Sequence, residues 1–202
     1  MNRNEIEIRN ATTNDVGRIV EVHLQSFPGF FLTRLGPSFL RLFYRGLVEL
    51  NSGILIVSLN GDRIVGLVGG TDSQESLYPS LFRSGRVRFI LVSARAAIAH
   101  PTALGRLFRA HSRSRGKLES RPGAALMSLA VHPQSEGQGS GTLLVSAFED
   151  VLRARGVLEY SLTTDERDNE RVNGFYLGRG MKLDRLIVTP EGRRLNEYVM
   201  KL

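Results

Sequence analysis

Residues 124–142 set an apolar run, a glycine-dense turn and the start of an amphipathic helix in immediate succession. The run is Ala124-Ala125-Leu126-Met127-Ser128-Leu129-Ala130-Val131, and the turn is Gly137-Gln138-Gly139-Ser140-Gly141. After the turn, Leu144, Ala147, Phe148, Val151 and Leu152 recur at helical spacing. A strand feeding a helix through such a turn makes an anion site, because the first N–H groups of a helix have no internal partner and the helix dipole adds positive potential there. Glycines let the backbone close on a phosphate without Cβ clashes. Gly139, Ser140, Gly141 and Thr142 are therefore expected to aim N–H groups at one pyrophosphate. Two familiar phosphate motifs do not fit. A P-loop needs Lys followed by Ser or Thr at the helix start, and Gly141-Thr142-Leu143 supplies none. A dinucleotide fingerprint needs its third glycine three residues after the second and a repeating parallel strand–helix pattern, and neither is present, although Glu159 lies about twenty residues on, where a ribose-binding acid would stand. Taken alone, the turn reads equally as a glycine loop without a ligand.

The flanking sequence predicts an α+β layered domain spanning residues 1–202, with about seven strands and about five helices. Glu5-Ile6-Glu7-Ile8-Arg9 alternates as a strand does. Thr12 or Thr13 offers an N-cap to a helix carrying Val16, Ile19, Val20, Leu24 and Phe27, and Pro37 opens a second with Phe39, Leu40, Phe43 and Leu47. Strands at 54–59 and 63–69 flank Asn60-Gly61-Asp62, a hairpin signal. Later come a strand at 158–163, a helix capped by Asp168 or Asn169 and ended by Gly180, and closing strands at 181–188 and 195–201 around Thr189-Pro190-Glu191-Gly192. Residues 77–120 read as a basic helical insertion, one or two amphipathic helices divided by Pro101 and followed by a Ser/Arg linker.

Composition narrows the function classes. Hydrophobic residues make up 42% and charged residues 23%, as in globular proteins. No apolar run approaches the ~20 residues of a membrane span, and Met1-Asn2-Arg3-Asn4-Glu5 has no apolar stretch behind it of the kind a secretory signal needs. A cytoplasmic location is the expectation. There is no cysteine, which excludes disulfides, thiolate metal sites and a cysteine acyl-enzyme; no metal is expected. The net charge of +7 is local: between Arg83 and Arg121 ten basic residues face only Glu119, so this segment carries +9 and the remainder −2. A general nucleic-acid binder would spread its charge, so no specific nucleic acid is expected. The segment admits a solvated helical face, a surface for phosphates of a carrier, or weak contact with an anionic membrane surface.

The spacing of Gln134-Ser135-Glu136-Gly137-Gln138-Gly139, behind Val131-His132-Pro133, resembles the signature of the GNAT superfamily of N-acetyltransferases. A second stretch agrees: Asn169, Val172, Phe175-Tyr176 and Gly180-Met181, with Val172 and Met181 as conservative departures. The resemblance runs from about Leu126 to Leu202, with element order alone over Glu5 to Thr71. It implies a mixed, mostly antiparallel central sheet of about seven strands with helices on both faces, whose central strands, ending near Val131 and Thr163, splay apart. It implies acetyl-CoA as cosubstrate, its pantetheine against Leu129, Ala130 and Val131, its pyrophosphate on Gln134 and Gly137 to Thr142, and Asn169 helping to hold it. Transfer would be direct attack of a primary amine within a ternary complex, with Tyr176 donating a proton to the leaving thiolate.

The resemblance also exposes a departure. Ser128 aligns where many members carry a Glu base, and serine is no base. Asp165, Glu166, His23 and His132 are candidates by residue type and not by motif; as loop acids, a helix-face histidine and a turn histidine they have ordinary readings. A lysine-like amine is neutral in only about one molecule in 2,500 at pH 7, an α-amino-type amine in about one in six. The expected acceptor is therefore a small molecule with a low-pKa amine, and an amino-sugar qualifies. The loop between the first two helices would wall its site with Phe30, Phe31 and Arg34, beside Ser128. Phe27-Pro28-Gly29-Phe30-Phe31 resembles GNAT proteins associated with bacterial surface polysaccharide synthesis. A peptide N-terminal acetyltransferase and a non-catalytic acyl-CoA-binding regulatory domain are the alternatives, and the protein is expected as a monomer or homodimer.

Overall fold

A computed structural model of the chain describes residues 6–84, 123–189 and 192–202. Seven strands form one sheet: β1 (Ile6–Asn10), β2 (Gly53–Asn60), β3 (Arg63–Thr71), β4 (Ala124–Val131), β5 (Glu159–Asp165), β6 (Lys182–Val188) and β7 (Arg194–Lys201), in the order β1-β2-β3-β4-β5-β7-β6. Every neighbouring pair is antiparallel except β4 and β5. The helices are α1 (Val16–Ser26), α2 (Phe31–Arg34), α3 (Pro37–Glu49), α4 (Gln74–Ser84), α5 (Ser140–Ala154) and α6 (Glu170–Gly178).

Sequence patterning sets which face each element buries. Successive residues of β2 point to opposite sides, so Leu55, Val57 and Leu59 pack with Ile19, Val20, Phe39, Leu40 and Leu47 of α1 and α3, while Ile54 and Ile56 pack with Leu144, Val145, Phe148 and Leu152 of α5. Both faces of the sheet are thus covered. The hairpin at Asn60-Gly61-Asp62 forms as its residues predict, with Gly61 at φ 59°. At Gly70 a Cβ would sit 2.3 Å from the Ala125 carbonyl oxygen and 2.7 Å from the Phe148 ring, so only glycine lets β3, β4 and α5 close there. The helix expected from Thr12 opens instead with a 3-10 turn at Thr13–Asp15, held because Asp15 accepts from the Thr12 backbone and hydroxyl and from Arg9 and Arg18.

Two features of the central strands position the site. β4 bulges at Met127, since Gly69 faces Ser128 and Gly70 faces Leu126; the extra residue re-aims the side chains of the strand beyond it. β4 and β5 pair only through Ala124 with Tyr160 and Ala125 with Ser161. Beyond that they diverge, as the resemblance implied. Of the expected basic insertion, only α4 lies within the described residues, with Leu77 and Leu81 buried; the rest of 85–122 lies outside them, as do Pro190 and Glu191. No helix among the described residues is long and apolar enough to cross a membrane.

Candidate active site

The turn after β4 needs left-handed backbone at two positions, Gly137 (φ 76°) and Gly139 (φ 83°), and glycine occupies both. Gly139 caps α5, so the N–H groups of Ser140, Gly141 and Thr142 lie in the helix's first turn and have no intrahelical acceptor. Ser140 is buried, and its hydroxyl has no partner among the described residues. In front of this turn lies a cavity of about 490 Å³, walled by Gly137, Gly139, Ser140, Gly141 and Thr142 on one side and by Leu129 to Val131, Val172 and Phe175 on the other. The Val131 carbonyl already accepts from Ser26 Oγ at 3.1 Å, which ties the end of α1 over the mouth of the strand gap.

A second cavity of about 330 Å³ occupies the gap between β4 and β5. Its walls come from both faces of the sheet: His23 and Leu32 from α1 and α2, Ser128 from β4, Thr163 from β5, Tyr176 from α6. The two cavities share Phe27, Phe30, Leu129, Asn169, Val172 and Tyr176. The splay lets side chains from opposite faces meet around one space, which a fully paired sheet would forbid.

Tyr176 stands at that junction. It is buried, edge-on to Phe175 with centroids 5.2 Å apart and tilted against Tyr198 at 6.2 Å. Burial pushes its phenol well above the ordinary value, so it stays protonated at neutral pH and is a donor. Asn169, the N-cap residue of α6, donates its amide to Thr164 Oγ1 at 2.6 Å and to the Asp165 carbonyl at 3.1 Å; its carbonyl oxygen is what it has left to offer the cavities. Asp165, on the wall of the second cavity, is held through both oxygens by Arg193, whose guanidinium lies 5.9 Å from the Phe30 ring centre.

Behind Ser128 lies a buried polar chain. Tyr44 Oη is 2.7 Å from His23 Nδ1, and the Ser128 hydroxyl near Tyr44 acts against the rise that burial gives the phenol. His23 is 2% exposed, and its Nε2 has no partner among the described residues. Burial pushes the His23 imidazole down to about 4, so it is neutral at pH 7.

The structure brings together most of the residues singled out by sequence and leaves others aside. Leu129, Ala130, Val131, Gly137, Gly139, Ser140, Gly141, Thr142, Asn169, Tyr176, Phe30 and Ser128 line one cavity or both. Gln134 and Gln138 are exposed and line neither. Arg34 lines neither; its Nε donates to the Gly29 carbonyl at 2.9 Å and secures its own loop, and the arginine at the second cavity is Arg193. The Phe31 side chain lies outside the described residues. His132 has one ring nitrogen taken by the Gln134 backbone and the other 3.1 Å from Arg63, away from both cavities. Glu166 is paired with Arg194. His23 did carry a signal, as a polar residue on the Val16, Ile19, Val20 face of its helix. Tyr44 and Arg193 carried none.

Residues 18–181 match the family model described as the Acetyltransferase (GNAT) family. No curated protein matches the chain. Among solved structures, SsHAT is similar at a TM-score of 0.66 and 18% identity, with 98% of each chain covered. The PaiA N-acetyltransferase from Thermoplasma acidophilum, solved in complex with coenzyme A, is similar at 0.59 and 16% identity, covering 96% of this chain and 98% of that one. The ribosomal-protein-S18-alanine N-acetyltransferase from Escherichia coli is similar at 0.59 and 12%, covering 98% and 94%. At these identities the likeness is one of fold.

Proposed function

Given that this chain belongs to the acetyltransferase (GNAT) family, we propose that it transfers an acetyl group from acetyl-CoA to the primary amine of a small molecule, by direct attack while both are bound. The observation that carries this reading is the meeting of two cavities at Tyr176: one fronted by a glycine turn and a helix N-terminus, the other set in the strand gap. Acetyl-CoA, when bound, supplies an acetyl group activated as a thioester. The residues present fit it. The first-turn N–H groups of α5 and the unpartnered Ser140 hydroxyl suit a pyrophosphate. Beyond Ala125, β4 has no strand neighbour on its β5 side, so its edge at Leu129 to Val131 suits an extended amide-bearing arm. The protonated Tyr176 donates to the sulfur as negative charge develops there.

The second cavity supports a compact acceptor. Its volume is near the lower end of small-molecule sites. Its one carboxylate, Asp165, is neutralised by Arg193, so nothing in the wall favours a polycation. Phe30 beside Arg193 offers a face for a sugar ring or a similar flat, polar-rimmed body. A low-pKa amine such as an amino-sugar fits this wall, with transfer in a cytoplasmic setting.

The test has two parts. Gly141 is helical and not left-handed, and a Cβ there would meet Phe175 and Val131 at an ordinary 3.8 Å. Aspartate in a first helical turn is favourable to the helix, so Gly141→Asp should fold normally while setting a carboxylate against the pyrophosphate. Calorimetry should find acetyl-CoA bound by the native protein and not by this variant; equal affinity would move the site elsewhere. Thiol release from acetyl-CoA is then measured with hexosamines, spermidine, and peptides offering α-amines or lysines. Turnover confined to spermidine or lysine would overturn the acceptor class. Peptide α-amine turnover would replace the small molecule with a polypeptide end, and no release with any amine would make the chain a binding module.

A further inference from the structure

We propose that Asn173 is a positioning residue of the transfer: by holding the Tyr198 phenol it fixes the ring against which Tyr176, the proposed proton donor, is set. The inference rests on the transferase reading above and adds what aims the donor.

A general acid must stand within hydrogen-bond reach of the atom it protonates. The Tyr176 hydroxyl makes no hydrogen bond to another described residue. Its place is therefore decided by the packing of its ring and by the helix that carries it. The ring has two aromatic neighbours. Phe175 is the preceding residue of the same helix and moves with it. Tyr198 belongs to β7, with its ring centre 6.2 Å away and its plane tilted by 36°. Of the two, Tyr198 is the one that relates Tyr176 to the sheet.

The Tyr198 ring is 2% exposed, and its hydroxyl is anchored. Oη donates to Asn173 Oδ1 at 3.0 Å, and Asn196 Nδ2 donates to the same oxygen at 3.2 Å. Asn173 Nδ2 donates in turn to the Asp165 carbonyl at 3.0 Å, the acceptor that Asn169 also uses at 3.1 Å. Both ends of the Asn173 amide are thus engaged, and they tie α6 to β5 and β7. Asn173 lies three residues before Tyr176 on α6, a separation that sets two side chains side by side on a helix. Asparagine is a poor helix former because its amide competes for the backbone. Here that amide bonds across to two strands.

Asp165 is on the wall of the acceptor cavity and Tyr176 lines both cavities, while Asn173 and Tyr198 line neither. The Asp165 carbonyl, Asn173 and the Tyr198 ring therefore join the acceptor wall to the donor from outside the site. Loss of this link should be felt in turnover and not in binding, since a misplacement of about 1 Å costs on the order of 10² in rate.

Tyr198→Phe keeps the ring and removes the bond to Asn173, whose Oδ1 still accepts from Asn196. The variant should unfold in urea at a near-native midpoint. With whichever amine of the panel turns over, its kcat should fall about tenfold, less than the ~10² for removing the donor itself. Acetyl-CoA affinity by calorimetry should be unchanged. Asn173→Leu should lose a similar factor, and adding it to Tyr198→Phe should cost little more, because both remove one link. In Tyr176→Phe neither substitution should lower the residual rate further, since no hydroxyl is left to aim. A merely structural network would lower it there by the same factor. Undiminished kcat in Tyr198→Phe, or equal losses with and without the Tyr176 hydroxyl, overturns the assignment while leaving the transferase reading standing. Absence of turnover with every amine overturns both.

Discussion

In Tyr176 packing and the proton donation proposed for it fall to different atoms of one side chain. Its ring packs against Phe175 and Tyr198, and the residue lines both cavities. The same burial that packs the ring raises the phenol and keeps it a donor. Tyr176→Phe retains the ring and removes the donor. It should fold with near-native stability, bind acetyl-CoA with unchanged affinity by calorimetry, and turn over about 10² more slowly. A Phe variant with full kcat would make the hydroxyl a spectator, and one that fails to fold would assign the residue to the core. Asn169 shows a similar division: it was singled out for the cavity, and its side chain also holds Thr164 and Asp165.

Between elements, one buried charged cluster sets where α6 lies relative to α5. Glu149 of α5 accepts from the Tyr160 hydroxyl of β5 at 2.9 Å and from Arg179, just past α6, at 2.9 Å. Both charged side chains are mostly buried. Burial and the Glu149 charge together hold the Tyr160 phenol high, so it is the donor in this cluster. Removing one partner of a buried pair leaves the other uncompensated, which costs about 3–5 kcal/mol, whereas replacing both by apolar groups is often near neutral. Arg179→Met should therefore lose about 3 kcal/mol in urea unfolding, and adding Glu149→Leu should recover most of that. Equal losses in single and double variants would show that the pair matters through packing alone. The strand gap is the other decision at this scale. The bulge at Met127 and the two-residue pairing of β4 with β5 turn a sheet into a cleft.

At the scale of the whole molecule, two buried groups make acid unfolding a two-stage process. The Arg9 guanidinium, bonded to the Asp15 carboxyl, holds it far below the usual carboxylate range against the cost of burial. Asp15 is depressed, so its stabilisation is present above about pH 3.8 and is lost as pH falls below that. His23 is also depressed, from 6.5 to about 4: between those values the unfolded chain binds a proton that the folded one does not, so stability falls as pH falls through that window. The shift corresponds to roughly 3 kcal/mol. Urea unfolding should show a decline between pH 6.5 and about 4 that His23→Gln flattens, and a further decline below about pH 4 that it leaves in place. An unaltered upper decline in His23→Gln would mean that another group titrates there. Helices, strands, the hairpin and the glycine turn were readable from residue order because periodicity and turn chemistry act within about a dozen residues. The stretch from β4 to α6 was readable as a candidate site for the same reason, its parts being contiguous in sequence. Folding alone joined His23 to Tyr44, 21 residues away, and Asp165 to Arg193, 28 residues away. It also turned Arg34 back onto its own loop. Local pattern determines which face of an element is buried, but which polar atoms meet inside depends on strand order and on where two central strands part, and both are settled only when the whole chain packs at once.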